Sequence, residues 1–233
     1  MSPVSEADDS FAVVELFTSQ GCSSSPAADA VLGRLIDEAR EQGTPVIPLA
    51  FHVDYWNKLG WKDPLSSISF SERQFSYGRN LDLPDVYTPQ MIVNGTAEFV
   101  GSDVAKARES IKAALARAAE THVTLQAENI PGEEEITVKY EVDGTAKPSD
   151  VINIALVERE VATRVRTGEN AGRDLRQDNV VRLLRTISLK RGMNGSATLK
   201  APQEMNREKA AVVAYVQERE TMAITGAVML DLP

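Results

Sequence analysis

The sequence predicts a mixed chain in two parts, an α/β half over residues 1–121 followed by an all-β half over 122–233. Three observations carry this. An apolar strand, a turn and a helix-compatible stretch follow one another over residues 11–42, and a second apolar strand comes next, the pattern of strands joined by helical crossovers. Asn94-Gly95 lies between two short apolar runs, which marks a β-hairpin. From His122 onward helical periodicity stops, and short alternating runs separated by turn residues take over.

The elements follow in order. Phe-Ala-Val-Val-Glu-Leu-Phe at 11–17 is β-branched and aromatic, suited to a buried strand. Residues 26–42 carry Ala27, Ala30, Val31, Ile36 and Ala39 at roughly helical spacing and stop before Gly43 and Pro45. Residues 46–53 read as a second buried strand, reached by a right-handed crossover; Pro48 weakens its first half because it offers no ladder N–H. Residues 54–64 form a loop with Tyr55, Trp56 and Trp61 around Gly60. Residues 66–81 fit a helix capped near Ser69 or Ser71, with Phe70, Phe75 and Tyr77 as apolar contacts. Met91 to Val93 and Glu98 to Val100 flank the Asn94-Gly95 pair, which favours a type I′ turn. Ser102 caps a helix running to about Ala119 through Val104, Ile111, Ala114, Leu115 and Ala118.

In the second half the alternating runs fall at 122–129, 134–142, 151–158, 179–188, 196–201, 210–218 and 223–230. Pro131-Gly132, Asp143-Gly144, Lys147-Pro148 and Asn194-Gly195 are the expected turns between them. Such a series of roughly seven strands fits a β-sandwich. The connection at 167–178 is long and polar, read either as a functional loop or as an exposed crossover between sheets.

Composition narrows the function. The 233 residues are 42% hydrophobic with a net charge of −9, and an acidic chain lacks the concentrated basic face that nucleic acid or an anionic membrane requires. Arginines 159, 164, 166, 173, 176, 182 and 185 gather loosely, but acidic residues are interspersed among them, so they read as a solvated mixed face. No apolar run approaches the ~20 residues of a membrane helix, and the polar residues 1–10 contain no signal-peptide core. With Cys22 as the one cysteine and His52 and His122 as the only histidines, an intrachain disulfide and a thiolate-rich zinc site are excluded. No cofactor is expected.

The predicted order β-α-β-α-β-β-α, with Cys22 in the first strand-to-helix turn and Thr88-Pro89 just before the hairpin, is the thioredoxin-like topology. Within it, Glu15-Leu16-Phe17-Thr18-Ser19-Gln20-Gly21-Cys22-Ser23-Ser24, Phe51-His52-Val53-Asp54-Tyr55-Trp56, Leu59-Gly60-Trp61-Lys62-Asp63-Pro64 and Val86-Tyr87-Thr88-Pro89-Gln90 resemble segments of the DUF1223 family. Gly168-Glu169-Asn170-Ala171-Gly172-Arg173 and Asn179-Val180-Val181-Arg182 are similar to further family segments, so the resemblance spans nearly the whole chain. It implies a thioredoxin-like protein of the mostly exported bacterial kind, periplasmic or secreted, with no established activity. Family members typically carry Cys-Ser-Ser-Cys followed by two prolines. This chain departs from that pattern with Cys22-Ser23-Ser24-Ser25-Pro26-Ala27.

The candidate chemistry centres on Cys22. A thiol at a helix N-terminus is acidified by the free amides and the helix dipole, and its thiolate attacks disulfides to form a mixed disulfide. Ser25 stands where the resemblance implies a resolving thiol, and a hydroxyl cannot resolve such an intermediate. The expectation is a thiol–disulfide oxidoreductase with Cys22 as nucleophile and a disulfide-containing protein or small thiol as partner. Its alternatives are a binding module without turnover and a Cys22 that is merely a small buried hydrophobe. A third option, a peroxide-reducing monothiol enzyme, lacks a dedicated Arg or Thr partner ahead of the cysteine in the usual spacing. By the resemblance, Thr88-Pro89 is a cis pair whose backbone contacts substrate. Glu15 would shuttle the thiol proton or pair with a Lys or Arg. His52 and Asp54, two apart at the end of a strand, share a face and would line the cleft or serve as structural hydrogen-bonding groups. Tyr55, Trp56 and Trp61 would wall a peptide site or cover a core end.

Overall fold

The computed structural model describes residues 3–129 and 135–232. Its strands are β1 (Val4–Glu6), β2 (Ala12–Thr18), β3 (Val46–His52), β4 (Gln90–Val93), β5 (Ala97–Val100), β6 (Thr121–Asn129), β7 (Glu135–Gly144), β8 (Val151–Glu158), β9 (Val161–Arg164), β10 (Asp174–Gln177), β11 (Val180–Ser188), β12 (Asn194–Lys200), β13 (Ala210–Gln217) and β14 (Ile224–Asp231). Its helices are α1 (Ser25–Gln42), α2 (Ile68–Asn80) and α3 (Val104–Leu115). The chain is thus mixed α/β and mostly β. It divides into two units, one made of Ala12–Ala114 with Glu160–Val180 and the other of the N-terminal stretch through Phe11, Leu115–Arg159 and the chain from Val181 onward. The chain passes between these units four times, where the sequence predicts one boundary near 120–122. The polar connection belongs to the first unit, where part of it pairs as the β9–β10 hairpin.

In the unit holding Ala12–Ala114, β2 is central: it pairs parallel with β3 and antiparallel with β4, and β4 pairs with β5. Every residue of β2 is buried, as expected of a strand covered on both faces. Helix α1 starts with Pro26 in its first turn, where a missing N–H costs nothing, and ends at Gly43 in the left-handed conformation (φ 61°). Its buried face, Ala28, Val31, Leu32, Leu35, Ile36 and Ala39, has the helical repeat. Pro48 is accommodated within β3, and its carbonyl accepts from Asn179 Nδ2 at 2.9 Å.

Three local expectations are corrected here. The cap of α2 is Ser67, whose side chain accepts from Ser69 N–H, because Ser71 turns inward to Asp54; Phe75 is left 41% exposed while Phe70 and Tyr77 are buried. The cap of α3 is Asp103, accepting from Lys106 N–H at 2.9 Å, and the helix ends at Leu115. The hairpin loop spans Asn94, Gly95 and Thr96, since Val93 pairs with Ala97; Asn94 and Gly95 both take positive φ. Asn94 Oδ1 also accepts from Val13 N–H at 2.7 Å.

The other unit holds two sheets, ordered β1-β6-β7-β12 and β14-β13-β8-β11. They share one apolar core that includes Leu125, Ile136, Ile154, Val212 and Val228, all nearly or completely enclosed; each such side chain is worth roughly 1.5–3 kcal/mol of burial. All seven expected runs contain strands, joined by β1, which the sequence reading did not contain. Asn194-Gly195 opens β12 rather than forming a turn. Gly195 faces Tyr140 across the ladder, and a Cβ there would lie 2.7 Å from the Tyr140 hydroxyl, so the strand needs glycine for ring clearance. The Pro131-Gly132 turn lies outside the described residues.

Candidate active site

β2 ends at Thr18 and α1 begins at Ser25, leaving Ser19 to Ser24 as the turn between them. Cys22 N–H donates to Ser19 O at 3.1 Å, and Ser25 N–H to Cys22 O at 3.2 Å. Gly21 N–H donates to Ser19 Oγ at 3.1 Å, and Ser19 N–H to Ser25 Oγ at 3.4 Å. Cys22 is only 2% exposed and stands just ahead of the first turn of α1. Its Sγ lies 3.1 Å from Ser24 Oγ and donates to Thr88 O at 3.7 Å. Burial pushes the thiol up, but hydrogen bonding from the side chains of Ser24, Ser25 and Thr88 and from the Ser24 backbone outweighs it, holding Cys22 below its ordinary value.

Of the residues singled out from sequence, Cys22, Ser25, Thr88 and Trp56 are brought together. Trp56 Nε1 donates to Thr88 Oγ1 at 2.7 Å, and the Thr88-Pro89 bond is cis. Trp61 Nε1 donates to Gln20 Oε1 at 3.1 Å, while Tyr55 Oη donates to Gln74 Oε1 at 3.1 Å. The aromatic loop thus supports both the Cys22 turn and the stretch ahead of β4.

Glu15, His52 and Asp54 are held elsewhere. Glu15 is buried, accepts from Arg73 Nε at 2.8 Å and Nη2 at 3.1 Å, and also bonds to the Tyr77 hydroxyl. That is the ion-pair alternative for a carboxylate inside an apolar strand. His52 is buried with Nδ1 2.7 Å from Asp63 Oδ2. Asp54 instead accepts from Ser71 Oγ at 2.5 Å and donates its own N–H to that oxygen at 3.0 Å. The two were expected to share a face, but β3 ends at His52 and the alternation ends with it.

Several residues that support the site were not singled out from sequence. Asp63 Oδ2 accepts from Gln20 N–H at 2.8 Å and Oδ1 from Leu65 N–H at 2.9 Å. Burial opposes its charge, yet the neighbouring His52 and these hydrogen bonds hold Asp63 below the usual carboxylate range. Asp29 accepts from Thr18 Oγ1 at 2.8 Å, and burial raises it to about 6 against the pull of His52, Thr18 and Gln177. Asn170 Nδ2 donates to both Gln20 O and Cys22 O at 2.9 Å. Its approach depends on two glycines: Gly60 and Gly168 take positive φ, and a Cβ on Gly60 would lie 3.2 Å from Gly168 Cα. Thr167 Oγ1 donates to Gly60 O at 2.5 Å beside this crossing. The signal for Asn170 was the unusual polarity of residues 167–178; the signal for Asp29 was a carboxylate on the apolar stripe of α1, one turn after Ser25.

Among the described residues no three His, Cys, Asp or Glu side chains gather to hold a metal ion, and no helix is long and apolar enough to cross a membrane. The chain is similar to the crystal structure of protein AGR_C_4864 from Agrobacterium tumefaciens, at 29% identity and a TM-score of 0.67, with 96% of each chain covered. A domain of the outer membrane lipoprotein Omp28 from Porphyromonas gingivalis matches at 15% identity and a TM-score of 0.31 over 49% of this chain and 88% of that one. A DUF3823 family protein from Bacteroides ovatus matches at 14% and 0.29 over 50% and 58%. No curated protein matches the chain. The family model described as protein of unknown function DUF1223 matches residues 13–217, and the chain belongs to that family.

Proposed function

We propose that the unit built on Ala12–Ala114 is a thioredoxin-like module in which Cys22 attacks disulfides, making the chain a thiol–disulfide oxidoreductase without a resolving thiol. The order β2-α1-β3-α2-β4-β5-α3, with Cys22 between β2 and α1, supports the fold reading. One observation carries the chemistry: the Cys22 sulfur sits at the start of α1 among Ser24, Ser25 and Thr88, whose hydrogen bonds favour the thiolate. The thiolate forms a bond to one sulfur of the partner disulfide, and the other sulfur leaves as a thiolate. Ser25 cannot complete the exchange, so an external thiol must release the product. The partner is a disulfide-bearing protein or a small thiol compound. An oxidising compartment such as the periplasm, where disulfides persist, suits this chemistry.

The pH dependence of Cys22 alkylation, beside disulfide reduction by Ser25→Cys, tests this. An inflection below the ~8.5 of a free thiol, with reductase activity in the two-cysteine variant, is expected. An ordinary inflection and an inactive variant overturn the proposal. The near-complete burial of Cys22 favours a second reading, a module that binds a partner beside Thr88 without turnover. Such a partner would still be retained by Cys22→Ala.

A further inference from the structure

Adjacent residues of the 160–180 segment grip both ends of one peptide unit, the one joining Cys22 to Ser23. Asn170 Nδ2 donates to its carbonyl at 2.9 Å, and Glu169 Oε2 accepts from its N–H at 3.0 Å. The same Asn170 amide donates to Gln20 O, while its Oδ1 accepts from Arg173 Nη1 at 2.7 Å, which settles the direction in which the amide faces. Asn170 is fully buried, whereas Glu169 is exposed. A peptide unit is planar, so holding its oxygen and its nitrogen fixes the plane. That in turn aims the following residue, Ser24, whose hydroxyl oxygen lies 3.1 Å from the Cys22 sulfur.

We propose that Glu169 and Asn170 form a clamp that orients the Cys22 thiol and screens its partners by charge, admitting neutral and cationic disulfides and slowing anionic ones. The substrate class rests on the thiol–disulfide reading of Cys22; the clamp acts on the thiol itself. Asn170 is a positioning residue, working through the backbone of the turn. Glu169 sets selectivity, because its exposed carboxylate accepts from the N–H of Ser23, the residue next to Cys22. A charge there changes the approach of a charged reagent by a few-fold at low salt, and less as salt screens it. During exchange the bond count is unaltered: Cys22 gains one S–S bond, the partner loses one, and the displaced sulfur carries away the electron pair.

Alkylation of the full chain by neutral iodoacetamide and anionic iodoacetate tests the clamp without requiring any redox activity. Dividing the rate ratio of the two reagents by the same ratio for free cysteine isolates the protein's charge preference. The result is expected to favour iodoacetamide, and Glu169→Gln, which can still accept from Ser23 N–H, is expected to reduce that preference about threefold at low salt. Asn170→Ala is expected to move the pH inflection of iodoacetamide alkylation upward. An unchanged ratio in Glu169→Gln overturns the charge screen, and an unchanged inflection in folded Asn170→Ala overturns the positioning role. If Asn170→Ala fails to fold, Asn170→Ser read by the same inflection decides the positioning role, and the ratio in the surface variant Glu169→Gln decides the charge screen. An inactive Ser25→Cys beside these alkylation results removes the redox reading and leaves the clamp standing.

Discussion

Thr18 Oγ1 donates to Asp29 Oδ1 at 2.8 Å, tying the last residue of β2 to the second turn of α1. The carboxylate is buried, and burial raises it to about 6 from 3.8. Because the folded chain holds this proton more tightly than the unfolded chain, ionisation of Asp29 opposes folding. The cost is absent below pH ~3.8, grows as pH rises, and is fully present above about 6 at about 3 kcal/mol. Asn at this position keeps an acceptor for Thr18 without the charge. Asp29→Asn is therefore expected to gain about 1–3 kcal/mol at pH ~7.5 and nothing at pH ~4. Urea unfolding at both pH values checks this, and equal gains at the two would sink it.

Glu15 and Arg73 are both almost wholly enclosed, and Arg73 also lies over the rings of Phe51 and Tyr77 at 5.7 and 5.0 Å. Removing either partner leaves a buried charge, so Glu15→Leu or Arg73→Met alone is expected to cost about 3–5 kcal/mol, and the pair together less than the sum. Glu15→Gln is expected to lower stability while leaving the alkylation pH profile of Cys22 in place. A displaced profile in that variant would restore Glu15 as a carrier of the thiol proton.

Ser24 contributes both its hydroxyl and its backbone to the acidity of Cys22. Ser24→Ala is expected to move the alkylation inflection upward and to slow the reaction near neutral pH by about 3- to 10-fold. The thermal midpoint should hardly change, since Ser24 is exposed and its side chain makes no capping bond. A slowed reaction with an unmoved inflection would point to steric obstruction.

Asp63 joins His52 to the backbone of Gln20. Asp63→Ala strips three buried groups of an acceptor and is expected to cost about 2–5 kcal/mol. Hydrogen exchange should show the amides of Gln20 and Leu65 losing protection before those of β2. Retained protection at Gln20 would mean that the turn holds without this anchor.

The course of the α/β half was legible because its elements announce themselves locally: the apolar run of β2, the stripe of α1 and Asn94-Gly95 all fall within one element's length. Cys22 stood out locally as the lone cysteine of the first strand-to-helix turn, whereas the cis Thr88-Pro89 bond was expected from the family resemblance and not from any local pattern. Asn170 was not legible, since its contacts with Gln20 and Cys22 span 150 and 148 residues and no local pattern encodes a bond of that reach. The cap of α2 was missed because Ser67, Ser69 and Ser71 are chemically equal, and only the position of Asp54 decides which one turns inward. His52 and Asp54 were paired by a strand repeat that stops between them.

The thiol and its support are distant in the gene. The turn bearing Cys22 is complete within the first 114 residues, yet Glu169 and Asn170 arrive only after the chain has passed through β6, β7 and β8. A frameshift or premature stop falling between residues 116 and 159 spares the cysteine and removes Glu169 and Asn170, which hold its backbone. Heritable change that looks remote from the thiol in linear order therefore acts on it at once, and a fragment bearing the whole Cys22 motif is not the smallest piece on which selection can preserve its chemistry.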